Sequence, residues 1–495
     1  MSEQELTEIR LNKLKRLREL GHDPYSFEEF PTNHLPHEIK GDYDAFAGKV
    51  VSLAGRVTSL RPMGKAGFFD ITREAERMQV YVKKEDVGET LWEIFNLIDI
   101  GDIVGTSGEV FKTKTGEISI HARDLKVLAK CIHVLPIGKE KEGKHWYGLH
   151  DVEERHRRRY LDIIANPESR DILTKRAKLV SETRRYLDAL GFLEVETPVL
   201  ESVVGGAAAK PFVTYHEALE MELKLRISLE LHLKRLIIAG FDKVYEIGRV
   251  FRNEGISTRH NPEFTLLELY QAYSKMEHIQ NLVEELCRHL AKEVYGSEVL
   301  RVRDVTLDFT KPWKRVKLLE AIEEHCGVKP SEFESLESAK EAMRRVGLDP
   351  SQETSVGGII EKLLEKFVEP RLQEPTFVED YPIDTSPLAK RHLQNPKLTR
   401  RFEGYLRGRE VCNAFSELND PFDQRARMEE QHRMLLAGHH EANPLDEDFL
   451  YAMELGMPPT GGLGIGMDRL AMQLSGADSI REVIWFPILK PEKKE

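Results

Sequence analysis

The stretch Val250-Phe251-Arg252-Asn253-Glu254-Gly255, continued by Arg259-His260-Asn261-Pro262-Glu263-Phe264 and Thr265-Leu266-Leu267-Glu268-Leu269-Tyr270, decides how this chain is organised. Two apolar runs flank a loop dense in arginine, histidine and glutamate. That is the pattern of two antiparallel strands holding a ligand-binding rim between them. Period-two alternation places Glu268 and Tyr270 on one face of the second strand. An arginine presents a rigid planar fork suited to phosphate or carboxylate, which lysine does not reproduce. Any one of these residues also reads as part of a salt-bridged hairpin; the whole set does not.

Two further stretches extend the pattern. Gly461-Gly462-Leu463-Gly464-Ile465-Gly466-Met467-Asp468-Arg469 turns a glycine-rich strand into an apolar helix. The glycines allow a ligand or a neighbouring strand close to the backbone, and the free amides of the first helical turn favour an anion, to which Arg469 adds a full charge. Between the two stretches, Phe402-Glu403-Gly404 leads through Arg409-Glu410-Val411-Cys412 to Asn413-Ala414-Phe415-Ser416-Glu417. Glu403 and Glu410 flank a hairpin and could hold Mg²⁺ directly or through water, or be two solvated turn carboxylates. Asn413, Phe415 and Glu417 alternate along one strand face.

Outward from these motifs, 495 residues with 40% hydrophobic and 32% charged content describe two or three globular domains with a wet surface. No apolar run approaches the roughly 20 residues of a membrane crossing, and the first 20 residues do not form a signal peptide. Cys131, Cys287, Cys326 and Cys412 are scattered without paired spacing, which argues against a zinc or disulfide scaffold and for a reducing cytoplasm. A net charge of -12 argues against non-specific coating of nucleic acid but leaves room for a local binding patch.

Residues 1–45 read as a helical segment. Its first helix carries Leu6, Ile9, Leu14 and Leu17, and its other faces hold Arg10, Lys13, Lys15, Arg16 and Arg18. Those cations form either a solvated face or a patch beside an RNA backbone. Residues 46–134 change to period two, with Val51 and Leu53, then Met78, Val80 and Val82, then Ile118 and Ile120 after a turn at 112–116. Short strands over this length make a small β-barrel of oligonucleotide-binding size. Residues 135–165 read as a linker. Residues 166–495 form a larger unit with a charged helical insertion near 330–368. In it a helix at 171–190, with Leu173, Ala177, Val180, Leu187 and Leu190 along one side, precedes a strand at 192–198. No Rossmann or P-loop glycine motif occurs.

With these motifs in view, the chain resembles the class II aminoacyl-tRNA synthetases, and among them the bacterial-type lysyl-tRNA synthetases. Gly191 to Pro198 resembles the family's first motif, Phe251 to Phe264 its second and Gly464 to Arg469 its third. Gly205-Gly206-Ala207-Ala208-Ala209 and Asn413 to Asp420 resemble stretches characteristic of the lysine enzymes and their nearest relatives. Cys412 departs from a frequent glycine and Leu229 from a common proline, and both concern pocket shape.

The resemblance implies an α+β chain: an N-terminal oligonucleotide-binding barrel joined to a catalytic domain with an antiparallel six-stranded sheet flanked by helices, assembled as a homodimer. It implies lysine activation by ATP with Mg²⁺, and transfer to tRNA(Lys). By the same resemblance Arg252 contacts the α-phosphate and the substrate carboxylate, Glu254 faces the adenine edge and Phe264 stacks on the base. His260 and Arg469 hold the outer phosphates, while Glu403 and Glu410 serve magnesium. Glu230 and the backbone around Gly205 receive the α-ammonium, and Asn413 assists with the carboxylate. Glu268, Tyr270 and Glu417 surround the ε-ammonium, with Phe415 on the same wall. In the barrel, Arg61, Phe68, Gln79 and Glu117 match anticodon-reading positions. An aspartate or asparagine enzyme would need cationic or amide groups where Glu268 and Glu417 stand. A protein-modifying relative would not need the barrel, and an inactive RNA-binding relative would not need the charged set.

Overall fold

The period-two residues of the N-terminal part close on themselves. In the computed structural model, which describes residues 2–137, 139–141, 144–146, 148–437 and 442–491, five strands form a barrel. They are Val50–Met63, Ala66–Arg73, Glu76–Lys83, Ile103–Lys112 and Ile118–Ala129. Val51, Leu53, Phe69, Ile71, Met78, Val80, Val82 and Ile120 fill its interior. The helix Glu3–Glu19 buries Leu14 and Leu17, while Ile9 stays exposed. Its cations are largely used within this unit. The buried Arg10 donates to the carbonyls of Cys131, His133 and Ile100, Lys13 pairs with Asp99, and Arg16 pairs with Glu93. Arg10 is thus committed inside the unit, while Lys15, Arg16 and Arg18 stay exposed.

The chain divides into two compact units, Met1–Glu168 and Ser169–Glu495. The stretch expected as a linker holds two short helices, Val152–Arg157 and Arg159–Ala165, because Arg159 and Asp162 form a buried ion pair at 2.7 Å that ties one turn.

The second unit is organised by one sheet in the order Lys314–Lys317, Thr376–Glu379, Arg401–Leu406, Arg409–Ser416, Thr460–Gly466, Glu263–Ala272, Lys243–Phe251 and Leu193–Glu194. The six inner strands are antiparallel, as expected. Two short parallel strands at the edges make the whole sheet eight-stranded and mixed, a correction to the six-stranded expectation. Only Leu193–Glu194 of the strand expected at 192–198 pairs. At Thr197 the chain turns away, because its amide and hydroxyl both donate to Glu246 Oε2, at 3.0 and 2.7 Å.

One face of the sheet packs Leu267, Leu269, Leu463 and Ile465 against the helices Pro167–Ala189 and Met276–Tyr295. The first of these helices buries Leu173, Leu179, Thr183 and Leu187, whereas Ala177 and Leu190 are exposed. Arg176, bound to the buried Asp468, takes the inward-facing turn that the apolar spacing assigned to Ala177. The insertion is helical, with Leu336–Arg345 and Val356–Leu363 packed in a core of their own with Tyr381 and Tyr405.

Candidate active site

Alternation along the three central strands builds the site. Odd residues of Glu263–Ala272 enter the core, and Phe264, Leu266, Glu268 and Tyr270 line a cleft on the opposite face. Asn413 and Phe415 come from the strand Arg409–Ser416. Between these walls runs Thr460–Gly466, with Gly464 in register with both Glu268 and Asn413. Its missing side chain leaves the floor of the cleft low. Arg252, Glu254, His260, Glu230, Glu410 and Arg469 complete the lining.

At the cationic end, Arg252 is half-buried, its amide donates to Pro262 O at 2.9 Å, and its guanidinium lies 5.1 Å from the Phe264 ring centroid. Arg469 donates to Glu410 Oε2 at 2.6 Å and reaches His260 Nε2 at 3.3 Å. An arginine can only donate, so this contact assigns the His260 proton to Nδ1, which faces Ser257 Oγ at 3.0 Å. Burial and then Arg469 push His260 below its ordinary range, so it is neutral near pH 7. Asp468, the chain neighbour of Arg469, ties the start of their helix to the sheet: it accepts from Arg176 Nε and Nη2 at 3.1 and 2.9 Å and from the Thr265 amide at 2.8 Å.

The opposite end is acidic. Glu268 Oε1 accepts from Ser228 Oγ at 2.8 Å and the Leu229 amide at 3.1 Å, and Oε2 accepts from Tyr270 at 3.2 Å. Burial, and after it the charge of Glu230, push Glu268 up to about 7. Glu417 is 1% exposed and lies below the cleft wall, with Oε2 2.5 Å from Lys234 Nζ. Neither of its oxygens has a well-aligned donor among the described residues, and burial pushes it up to about 8. Gly462 is indispensable to this arrangement, since a Cβ there would lie 1.8 Å from Glu417 Oε1 and 2.6 Å from Tyr270 Cε1.

Two expected residues stand elsewhere. Gly206, with φ +85°, lines the cleft, while Gly205 lies behind it against Leu231. Glu403 does not reach the cleft: Oε1 accepts from Arg401 at 2.6 Å, and Oε2 accepts from Tyr381 and Tyr405 at 2.8 and 2.5 Å. Among the described residues no group of three or more His, Cys, Asp or Glu forms a metal centre. Arg401 also donates from Nε to Asn413 Oδ1 at 3.1 Å, which leaves the Asn413 NH₂ free to donate to a ligand.

Sequence reading missed Lys234, Gly462, Arg401 and Asp468 as parts of this site. Glu230 and Lys234, one turn apart, resemble an ordinary solvated helix pair. The hint of burial in the sequence is that Leu231 and Leu233 lie between them.

In the barrel, Phe69 is buried and Phe68 points outward, where its ring lies 4.9 Å from that of Tyr81. Arg61 is in register with Phe68, Gln79 accepts from Ser119 at 2.9 Å, and Glu117 lies 3.4 Å from Arg77. Arg61, Phe68, Gln79 and Glu117 are all at least partly exposed.

Residues 151–490 match the family described as tRNA synthetases class II (D, K and N), and residues 51–128 match the OB-fold nucleic acid binding domain. The chain is similar to the lysine–tRNA ligase of Thermoanaerobacter pseudethanolicus, 50% identical over 99% of this chain and 96% of that protein. It is 48% identical to the protein of the same name from Moorella thermoacetica, over 100% and 99% of the two chains. With that of a Nostoc species it shares 46% identity over 99% and 89%.

Proposed function

Since the chain belongs to the class II tRNA synthetases of the D, K and N group, we propose that its cleft activates lysine with ATP and that its barrel reads the tRNA that receives it. The protein is an ATP-dependent lysine–tRNA ligase. A lysine carboxylate oxygen attacks the α-phosphorus of ATP and pyrophosphate leaves. A hydroxyl at the 3′ end of tRNA then attacks the adenylate carbonyl and AMP leaves.

The observation that carries the choice of lysine is Glu417 Oε1, buried beside Tyr270 and without a donor among the described residues. A buried carboxylate oxygen without a donor is costly, and an incoming ammonium supplies what it lacks. Aspartate would add a third charge of the same sign there. The test is amino-acid-dependent exchange of pyrophosphate into ATP. We expect exchange with lysine and none above background with aspartate or asparagine; the reverse preference would sink this reading.

We assign the roles as follows. Arg252 brings its fork to the α-phosphate and the substrate carboxylate, and Phe264 stacks on the adenine beside Glu254. Arg469 and neutral His260 hold the outer phosphates. The first step needs no general base, because the substrate carboxylate is already ionised near pH 7; in the second, the hydroxyl proton leaves as the ester forms and AMP departs. Cationic clamps offset the repulsion between carboxylate and triphosphate, and preorganised positioning supplies the rate. Glu230 and the Gly205-Gly206 backbone receive the α-ammonium, and Asn413 donates to the carboxylate.

Magnesium fits beside Glu410. Glu365, Glu369 and Glu410 line one hollow beside Arg469 and His260, a set of carboxylate oxygens of the kind the ion takes. Glu410 would hold the ion with Glu403 behind it, once Glu403 gives up one of its three donors. A bound magnesium would neutralise phosphate charge.

The raised carboxyls make lysine recognition pH-dependent. Below about 7 to 8 Glu268 and Glu417 hold protons, and above it they are carboxylates that attract the ε-ammonium. The KM for lysine should therefore fall as pH rises through that window. A flat lysine KM between pH 6 and 9 would contradict it.

Phe68→Ala should weaken tRNA charging by roughly 1–3 kcal/mol, the worth of one stacked base, and leave lysine-dependent exchange without tRNA near normal. Equal damage to both would place Phe68 in the barrel core. A homodimer formed through the second unit is supported by exposed apolar residues Leu190, Leu193, Val199 and Leu200 around the edge strand, each at least 39% exposed. Light scattering of active protein should give twice the 56.9 kDa chain mass; a monomer mass would reject the dimer. We place the enzyme in the cytoplasm, in keeping with four free cysteines. Among the described residues no helix is long and apolar enough to cross a membrane.

A further inference from the structure

Lys234 lies one turn after Glu230 on the helix Glu230–Ile238, and its side chain is fully buried. Its Nζ contacts Glu230 Oε1 and lies 2.5 Å from Glu417 Oε2. The Tyr270 and Phe415 rings, 5.8 and 5.9 Å away, enclose the same ammonium. Burial alone would push this ammonium down, but Glu230 and Glu417 outweigh it and hold it above its ordinary value. Lys234 therefore keeps its charge inside the protein.

The charges around it do not balance. Glu230, Glu268 and Glu417 are each 5% exposed or less, and Lys234 is the one cation among the described residues that pairs with any of them. With all three ionised, as they are above the titration window of Glu268 and Glu417, three carboxylates against one ammonium leave two negative charges. A lysine molecule brings two ammonium groups and one carboxylate, and Arg252, which faces Glu268 from the cleft, matches the carboxylate. The two remaining substrate charges equal the deficit.

We propose that Lys234 is a specificity-determining residue: its ammonium sets the net charge of the pocket so that an amino acid with two ammonium groups, rather than one, completes the balance. The inference rests on reading this cleft as a lysine site. Without Lys234 three buried carboxylates would face two substrate ammoniums, and one carboxyl would have to hold a proton and present a donor where an acceptor is needed. An amino acid with a neutral side chain would leave a buried carboxylate unmatched in the native pocket.

The test compares Lys234→Met in two backgrounds. In the native background it should raise the lysine KM by at least about tenfold, with the ATP KM unchanged. In a Glu417→Gln background the pocket carries one negative charge, and adding Lys234→Met restores two. There the same substitution should lower the lysine KM, by about threefold or more. A purely structural role for Lys234 would make it harmful in both. Removing both partners of a buried ion pair is tolerated better than removing one, so the second comparison decides even where Lys234→Met alone does not fold. A double variant that has a higher lysine KM than Glu417→Gln, or that fails to fold, overturns the proposal. Native protein without lysine-dependent exchange would instead overturn the reading of the cleft.

Discussion

Glu417→Gln should lower kcat/KM for lysine in ATP–pyrophosphate exchange by about 2–5 kcal/mol, a factor of roughly 30 to 5,000. The ε-ammonium is expensive to dehydrate and needs a buried anion close by. Glutamine keeps the shape of Glu417 while removing that charge. Glu268, already satisfied by Ser228, Leu229 and Tyr270, compensates only in part. The fold should survive, because Lys234 retains Glu230 as a partner. The measurement is exchange at several lysine concentrations, paired with thermal unfolding and ATP binding. Near-normal kcat/KM for lysine would remove Glu417 from recognition, and loss of the fold would make it a structural residue.

Gly462→Ala should be at least as damaging to lysine activation. The added methyl would lie 1.8 Å from Glu417 Oε1 and 2.6 Å from Tyr270 Cε1, so both side chains must leave their places. Gly462 is in register with Tyr270 on one neighbouring strand and Phe415 on the other, so the backbone has little room to retreat. Overpacking of this kind costs about 1–3 kcal/mol of stability, in addition to the lost recognition. The melting temperature should fall and ATP should still bind, since Arg252, Phe264 and Arg469 stand at the other end of the cleft. By contrast, Gly464→Ala meets Asn413 O and Glu268 Cγ only at 3.8 Å, and it should retain far more lysine activity. Equal behaviour of the two variants would remove the steric argument.

These two glycines show how far the sequence could be read. Leu463 and Ile465 alternating with Gly462, Gly464 and Gly466 already indicate a strand with an apolar face and an open face. The same alternation in Phe264 to Tyr270 places Glu268 with Tyr270. Side chains that act through strand periodicity are legible in this way, because direction follows from local backbone geometry. Motif spacing likewise suffices for the barrel and for the strand–loop–strand around Arg252.

The helix Pro167–Ala189 marks where such reading stops. Its apolar spacing suggested an inward Ala177, but Arg176 turns inward because Asp468, nearly 300 residues away, is buried opposite it. Glu403 is a similar case: as sequence it is a turn carboxylate, and only packing against Arg401, Tyr381 and Tyr405 shows it committed to three donors.

The sequence by itself therefore determined the two domains, the antiparallel sheet, the cationic and acidic residues of the site and the class of chemistry they serve. The barrel and the strand–loop–strand follow from local periodicity and residue type, whereas the full antiparallel sheet and the class of chemistry came with the resemblance to a family. Only the tertiary structure decided that Gly206 rather than Gly205 faces the cleft, that Glu403 is held away from it, and that Lys234 lies buried between Glu230 and Glu417. The energy of a buried charge depends on every charge and donor packed around it, and here those come from strands and helices far apart in the chain.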